Sequence, residues 1–406
     1  MRRFALILIF LATLIQCDEG DAQAPTDSGV AVNTKVFEAA NFIAASGGQS
    51  SPRLKKLRAS RQYQLYQHQV NRAWNAYHKR TVAKISKWRN QHLASIQYDS
   101  VFYPFGGPDL LNALALFPDA DQYVLLGLEA TGRIPNPGAL SNAQALSGLK
   151  KLRGALTRIM GHNFFHTKIM AYKIGSHSYN GIAGVFMFFA RRMGYEIIDA
   201  RQIILSSSGK VVTYSARPKD PKGLVYGVEI KFRKSKDAKV QTAYYLRGDI
   251  SDKHLFRKKG IAALVSQSNN LVSMLKAASY LMFRAQFDDM RNLILRRSRY
   301  IVQDPSGFPF HYLNKPTKWN LRLYGSYVRP IPLFRVRCQP DLARASRKSS
   351  KGWLPFAFGY TAPTYGRSLM MVAERKTPLE AVAYDRTFAR GQNTYCYKGR
   401  LVVDRK

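Results

Sequence analysis

Acidic residues and cysteine are what this chain has least of. Its 406 residues carry 63 Lys and Arg against 25 Asp and Glu, a net charge of +38, with only 3 cysteines. So few cysteines exclude a small disulfide-framework fold, and none of them has the paired spacing of a Cys-based metal site. With 28 Gly and 18 Pro, the chain is neither collagenous nor of low complexity. Its 46% of hydrophobic residues exclude a disordered polycation. Beyond the first residues no apolar run approaches the roughly 20 residues that cross a bilayer. What remains is a globular chain, long enough for two or three domains or for one large domain with an added helical region. Composition names no reaction.

Arg2 and Arg3 precede an uncharged run from Phe4 to Gln16, rich in Leu and Ile, and Asp18, Glu19 and Asp21 follow it. A basic start, a short apolar core and a polar end make residues 1–22 read as a secretory signal. Cleavage after Ala22, with Gly20 two residues before it, avoids the unfavourable Pro25 that a cut after Ala24 would leave at the new terminus. Leu14-Ile15-Gln16-Cys17 also resembles a lipobox, with lipid attachment through Cys17 as the alternative, although Gln16 stands where a small residue is usual. The expectation is an exported protein of the bacterial periplasm or cell envelope. Loss of the signal leaves 61 basic and 22 acidic residues, a charge of +39. Cys338 and Cys396 then remain, and in an oxidising compartment they either close a long C-terminal loop as one disulfide or stay as two buried thiols.

A surplus of one sign this large calls for anionic partners. Outside the inner membrane these are lipid and lipopolysaccharide phosphates, acidic glycans and, without sequence specificity, nucleic acid, since no base-reading motif is present. The charge is concentrated: no acidic residue occurs between Glu38 and Asp99, a stretch that holds Lys79, Arg80, Lys84, Lys87 and Arg89. In the same stretch Trp74, Tyr77, Thr81, Ile85 and Trp88 recur at helical spacing on one face. Either this amphipathic helix lies on an anionic surface with its aromatics at the boundary, or the aromatics dock it on the main domain and its charges are solvated.

Further along, Ser46 to Pro52 reads as a linker. Ile96 to Phe105 reads as a strand stopped by Gly106-Gly107-Pro108, with Asp109 as cap of a helix from Leu110 to Phe117 and a second strand from Gln122 to Leu128 ending at Glu129. Strands this continuously apolar belong to a parallel sheet covered on both faces. Pro137 to Met160 and Gly181 to Met193 read as helices, Tyr195 to Ile204 as a strand, and Val211 to Leu246 as an antiparallel meander. Leu271 to Arg297 reads as helix, Tyr300 to Val302 as a strand, Asp341 to Gly352 as a basic loop, and Leu369 to Ala373 as a strand.

Candidate chemistry gathers at strand ends. Gly106 and Gly107 before a helix, with Glu129 about twenty residues on, have the layout of a nucleotide site: glycines admit a ligand to a helix N-terminus and the carboxylate accepts from ribose hydroxyls. The three-glycine fingerprint is missing and Pro108 removes an amide, so the alternative is a tight turn capped by Asp109. Asp304, in Gln303-Asp304-Pro305-Ser306-Gly307, closes another strand, where open α/β sheets bind ligands, or forms a type I turn. Asp109, Glu129 and Asp304 are the candidate acid/base or ligand-orienting groups. His162 and His166 lack the Glu of a zinc-protease motif, and Ser176 and His177 lack a nucleophile elbow. No metal site is expected.

The 103–109 segment resembles the first third of a Rossmann-like methyltransferase in arrangement rather than in motif. Together with residues 117–129, 302–307 and Tyr324-Gly325, it also resembles an uncharacterised family of exported bacterial proteins, over roughly residues 95–340. That likeness implies export and transfers no catalytic role. The expected organisation is a signal (1–22), a linker and basic amphipathic helical arm (23–94), an α/β domain with a mixed Rossmann-like sheet (95–335), and a C-terminal extension of short strands and a basic loop (336–406). The expected function is binding of anionic polymers or membrane surfaces; the alternative is an enzyme or small-ligand protein using the strand-end cleft. Export speaks against a cytosolic cofactor such as S-adenosylmethionine.

Overall fold

The computed structural model describes residues 30–161, 178–214, 224–255, 259–327, 329–360, 368–381, 392–397 and 400–405. The expected signal with Cys17, and the His162/His166 and Ser176/His177 pairs, lie outside the described residues.

The fold is α/β, built on a mixed Rossmann-like sheet. Its strands are β1 (Ser100–Tyr103), β2 (Gln122–Gly127), β3 (Glu196–Leu205), β4 (Val211–Thr213), β5 (Val225–Arg233), β6 (Gln241–Arg247), β7 (Leu271–Leu275), β8 (Tyr300–Gln303), β9 (Trp319–Gly325) and β10 (Leu369–Arg375). Among the described residues these form one 10-stranded sheet in the order β4-β3-β5-β6-β2-β1-β7-β8-β10-β9. The centre, β6-β2-β1-β7-β8, is parallel; β5, β3 and β4 extend it antiparallel on one side, and β10 runs antiparallel between β8 and β9 on the other. A separate hairpin, β11 (Gln392–Tyr397) with β12 (Arg400–Arg405), follows.

The central strands read as unbroken apolar runs because both faces are covered. Tyr123 and Leu125 of β2 enter one core, with the N-terminal helices and the helices Leu110–Leu116, Asn142–Gly161 and Ile182–Arg192. Val124 and Leu126 enter the other, with helices Lys259–Val265 and Asp288–Arg297.

The basic helical stretch is docked. Helix Arg61–Tyr77 continues through a π-helical turn, His78–Val82, into helix Ala83–His92. Trp74, Tyr77, Thr81, Ile85 and Trp88 are all buried. Trp74 packs on Phe188 and Phe189, and Trp88 sits edge-on to Tyr324 at 5.0 Å and Phe356 at 5.6 Å. The aromatics therefore face protein, which removes the arrangement that laid them at a membrane boundary. Lys79, Arg80, Lys84 and Lys87 remain exposed, while half-buried Arg89 donates to the Ala115 carbonyl.

Three sequence readings need correction. Leu271–Leu275 is strand β7 and not helix; after two short 3₁₀ turns, α-helix begins only at Asp288. A buried parallel strand has no period-2 signal, so its apolar run matches a helix equally well. Residues expected as a basic loop form helix Pro340–Ser349, with Pro340 at its first position, Asp341 in the first turn and Arg347 and Lys348 in the last, an order that suits the helix dipole. The meander is also permuted, since β3 lies between β4 and β5. The C-terminal extension contributes β10 to the interior of the sheet. Cys338 is disulfide-bonded; the side chain of Cys396 lies outside the described residues.

Removing the Trp88 side chain should cost about 3–5 kcal/mol. Denaturant unfolding of Trp88→Ala should show one earlier transition shared by helices and sheet; an unchanged midpoint or a second transition would mark the N-terminal helices as an appendage.

Candidate functional site

From β1 the chain moves outward to β2 and β6 on one side, then returns to β7 and β8 on the other. The direction thus reverses between β1 and β7, the place where open α/β sheets form a crevice at their C-terminal ends. A cavity of about 170 Å³ opens there, lined by Tyr103, Gly106 and Gly107 after β1, Gly127 and Glu129 at the end of β2, and Lys276 after β7. Phe105 and Phe287, with rings 6.0 Å apart, form part of its wall.

The floor is an ion pair. Asp109 caps the helix Leu110–Leu116, accepting from the Asn112 amide at 3.3 Å and its side-chain nitrogen at 2.7 Å through Oδ1. Its Oδ2 accepts from the Tyr103 hydroxyl at 3.0 Å and from Lys276 Nζ at 2.8 Å. Asp109 and Lys276 are buried. Burial, then the charge of Asp109, holds the Tyr103 hydroxyl well above its ordinary range, so Tyr103 stays a donor.

Glu129 differs. It is buried at the level of the residue, yet it lines the cavity. Tyr245 donates to its carbonyl at 2.8 Å and to Oε2 at 3.1 Å, and Oε1 has no hydrogen bond among the described residues. Two glycines make room for this carboxylate. A Cβ at Gly107 would stand 3.3 Å from Oε2, and one at Gly127 would collide with it.

The 103–109 turn does not cradle phosphate. The amides of Gly106, Gly107 and Asp109 are spent on the carbonyls of Tyr103, Leu126 and Gly106, and Pro108 has none. Of the two readings of this segment, the tight turn capped by Asp109 is the one formed: the glycines leave space for Glu129, and Asp109 fills the helix terminus where an anion would sit.

Asp304 does not join the cavity lining. Fully buried, it accepts from the Ser306 amide at 3.1 Å, the Ser306 hydroxyl at 2.6 Å and the Tyr360 amide at 3.0 Å. Burial raises its pKa and these donors oppose the rise. The Gly307 amide closes the turn on the Asp304 carbonyl at 3.2 Å. Ser306 in turn accepts from Ala278 and holds the wall after β7, where Ala277, Ser279 and Tyr280 all adopt positive φ. Three of four consecutive non-glycine residues in that region are a local strain held by their surroundings. The three candidate carboxylates thus divide: Glu129 faces the cavity, Asp109 lies beneath it in an ion pair, and Asp304 stands outside the lining, in a turn that holds the wall through Ser306.

Lys276 is the site residue that sequence reasoning missed. Its signal was a five-residue apolar run ending on a lone lysine, hidden once that run was taken for helix. Among the described residues no three His, Cys, Asp or Glu side chains gather as a metal site requires, and no helix is long and apolar enough to cross a membrane. No family model, no curated protein and no solved structure matches this chain.

Lys276→Met leaves Asp109 buried without its cation and should cost about 3–5 kcal/mol in urea unfolding. Adding Asp109→Asn should recover much of that loss; a double variant no more stable than the single one would show the pair to be unimportant.

Proposed function

We propose that the cleft binds a phosphate-free small molecule carrying a vicinal diol, a ribonucleoside by chemistry, with Glu129 as acceptor for the hydroxyls. One observation carries this reading: Oε1 of Glu129 is an unspent acceptor at the end of β2, beside a turn whose amides are already used. Lys276 is neutralised by Asp109, so among the described residues the cavity lining offers no unpaired cation to a phosphate. The layout resembles that of Rossmann-like methyltransferases over its first strands, which favours a nucleoside. Export, supported by the disulfide at Cys338 and proposed here with Cys396 as its partner, favours a free nucleoside over S-adenosylmethionine. Adenosine should raise the melting temperature, its 5′-phosphate less and 2′,3′-dideoxyadenosine not at all. Glu129→Gln should abolish the rise while the unliganded protein melts as before. No shift with any of these, or a shift that survives Glu129→Gln, would reject the assignment.

A second reading rests on the docked helices. Lys79, Lys84 and Lys87 are exposed and form no ion pair among the described residues, in a region without acidic sequence neighbours. Arg80, although exposed, also donates to the Met160 carbonyl. This face fits an anionic polymer of the envelope, held by charge alone. Retention on heparin should fall steeply between about 50 and 200 mM salt, as counterion release requires. Replacing Lys79, Arg80, Lys84 and Lys87 by Gln should reduce both retention and its salt slope, whereas retention insensitive to salt would exclude this mode.

A further inference from the structure

Apolar side chains on the outside of this protein are ordinarily isolated, but one turn presents two in close sequence. Leu333 is 73% exposed and Val336 53% exposed, on a 3₁₀ turn Pro332–Phe334 and the residues just after it. The turn is firmly anchored. The Phe334 ring lies 5.0 Å from that of Tyr280 and 5.2 Å from that of Tyr360. The Arg337 amide donates to the Phe334 carbonyl at 2.8 Å, and Cys338 is disulfide-bonded. Buried Gln339 accepts from the Phe310 amide at 2.8 Å and donates to the Pro305 carbonyl at 2.9 Å. Leu333 and Val336 are thus held outward by a fixed scaffold, and their exposure carries a standing cost in water.

The surroundings are cationic. From Arg335 to Lys351 the basic residues are Arg335, Arg337, Arg344, Arg347, Lys348 and Lys351, and the acidic one is Asp341, already paired with Arg344. Two aliphatic tips are too few for the apolar centre of a stable protein interface. Apolar tips with Arg335 and Arg337 directly beside Val336 in the chain, and a basic helix following, suit the headgroup boundary of an anionic bilayer, where the tips enter the acyl region and the cations meet lipid phosphates.

We infer that the turn around Leu333 and Val336 docks this protein on an anionic lipid bilayer. The turn adjoins the cleft, because Tyr280, on which Phe334 stacks, stands between the cavity-lining Ser279 and Leu281. Docking therefore brings one wall of the cleft close to the headgroups. This surface is distinct from the Lys79–Lys87 face, and the inference does not rest on the identity of the cleft ligand.

The test is flotation of the full-length protein with vesicles of phosphatidylcholine alone and of equal parts phosphatidylcholine and phosphatidylglycerol. The wild type should float with the mixed vesicles and stay behind with the neutral ones. Leu333→Ser with Val336→Ser should weaken binding about tenfold or more, since both side chains lose apolar burial, at an unchanged melting temperature. Lys79→Gln with Lys84→Gln and Lys87→Gln should still float. In a second measurement, Leu333→Trp should show added emission that brominated phospholipid quenches. A wild type that does not float, a double variant that floats as well as the wild type, or an unquenched tryptophan would overturn the inference.

Discussion

Lys276 and Asp109 meet at 2.8 Å beneath the crevice where the sheet changes direction. Lys276 directly follows β7, Asp109 caps the helix that follows the neighbouring parallel strand β1, and each has lost nearly all contact with water. Such burial is tolerable only because every strong group there is answered: Asp109 accepts from Lys276, Tyr103 and Asn112, and the tyrosine is kept a donor by burial and by the same carboxylate. The pair spends the lysine that would otherwise attract phosphate and the carboxylate that would otherwise serve as a base. The carboxylates left in the described lining are Glu129 and Asp249, and the hydroxyl-binding role proposed for Glu129 starts from that subtraction.

The cleft is accordingly unlike the rest of the molecule. Across a chain of net charge +38, the described lining of the cavity carries the carboxylates of Glu129 and Asp249, and its lysine is paired with Asp109. The proposals for anionic partners and for the cleft ligand thus use different surfaces: the exposed lysines of the docked helices and the anchored turn at Leu333 for the anions, and the cavity for hydroxyls. Strain is placed where it serves this division. The segment Ala277–Tyr280, with Ala277, Ser279 and Tyr280 at positive φ, is fastened by the Asp304–Gly307 turn on one side and, through Tyr280, by Phe334 on the other.

Much of the layout was legible residue by residue. The turn after β1, the Asp109 cap, the strand ending at Glu129 and the aromatic stripe from Trp74 to Trp88 each carry a local signal of spacing or turn chemistry, and each occupies its expected place. Where both faces of an element are buried, the signal fails: β7 has no alternation to separate it from helix, and with it went Lys276. The helix Pro340–Ser349 was obscured for the opposite reason, a mean composition so basic that only its capping order marks it. Gly107 and Gly127 were visible as glycines, but their use, leaving space for a carboxylate, depends on a side chain from elsewhere in the chain.

By itself, the sequence determined the surplus of cations, the α/β alternation, the capped turns and the face on which the docked helix is apolar, because these are properties of neighbours along the chain. Only the tertiary structure decided which carboxylates share the cavity, which lysine is neutralised and which apolar side chains are left outside. Those outcomes depend on contacts between distant residues, Lys276 and Asp109 being 167 apart, and on the exclusion of water when two strands become neighbours. No local pattern records either.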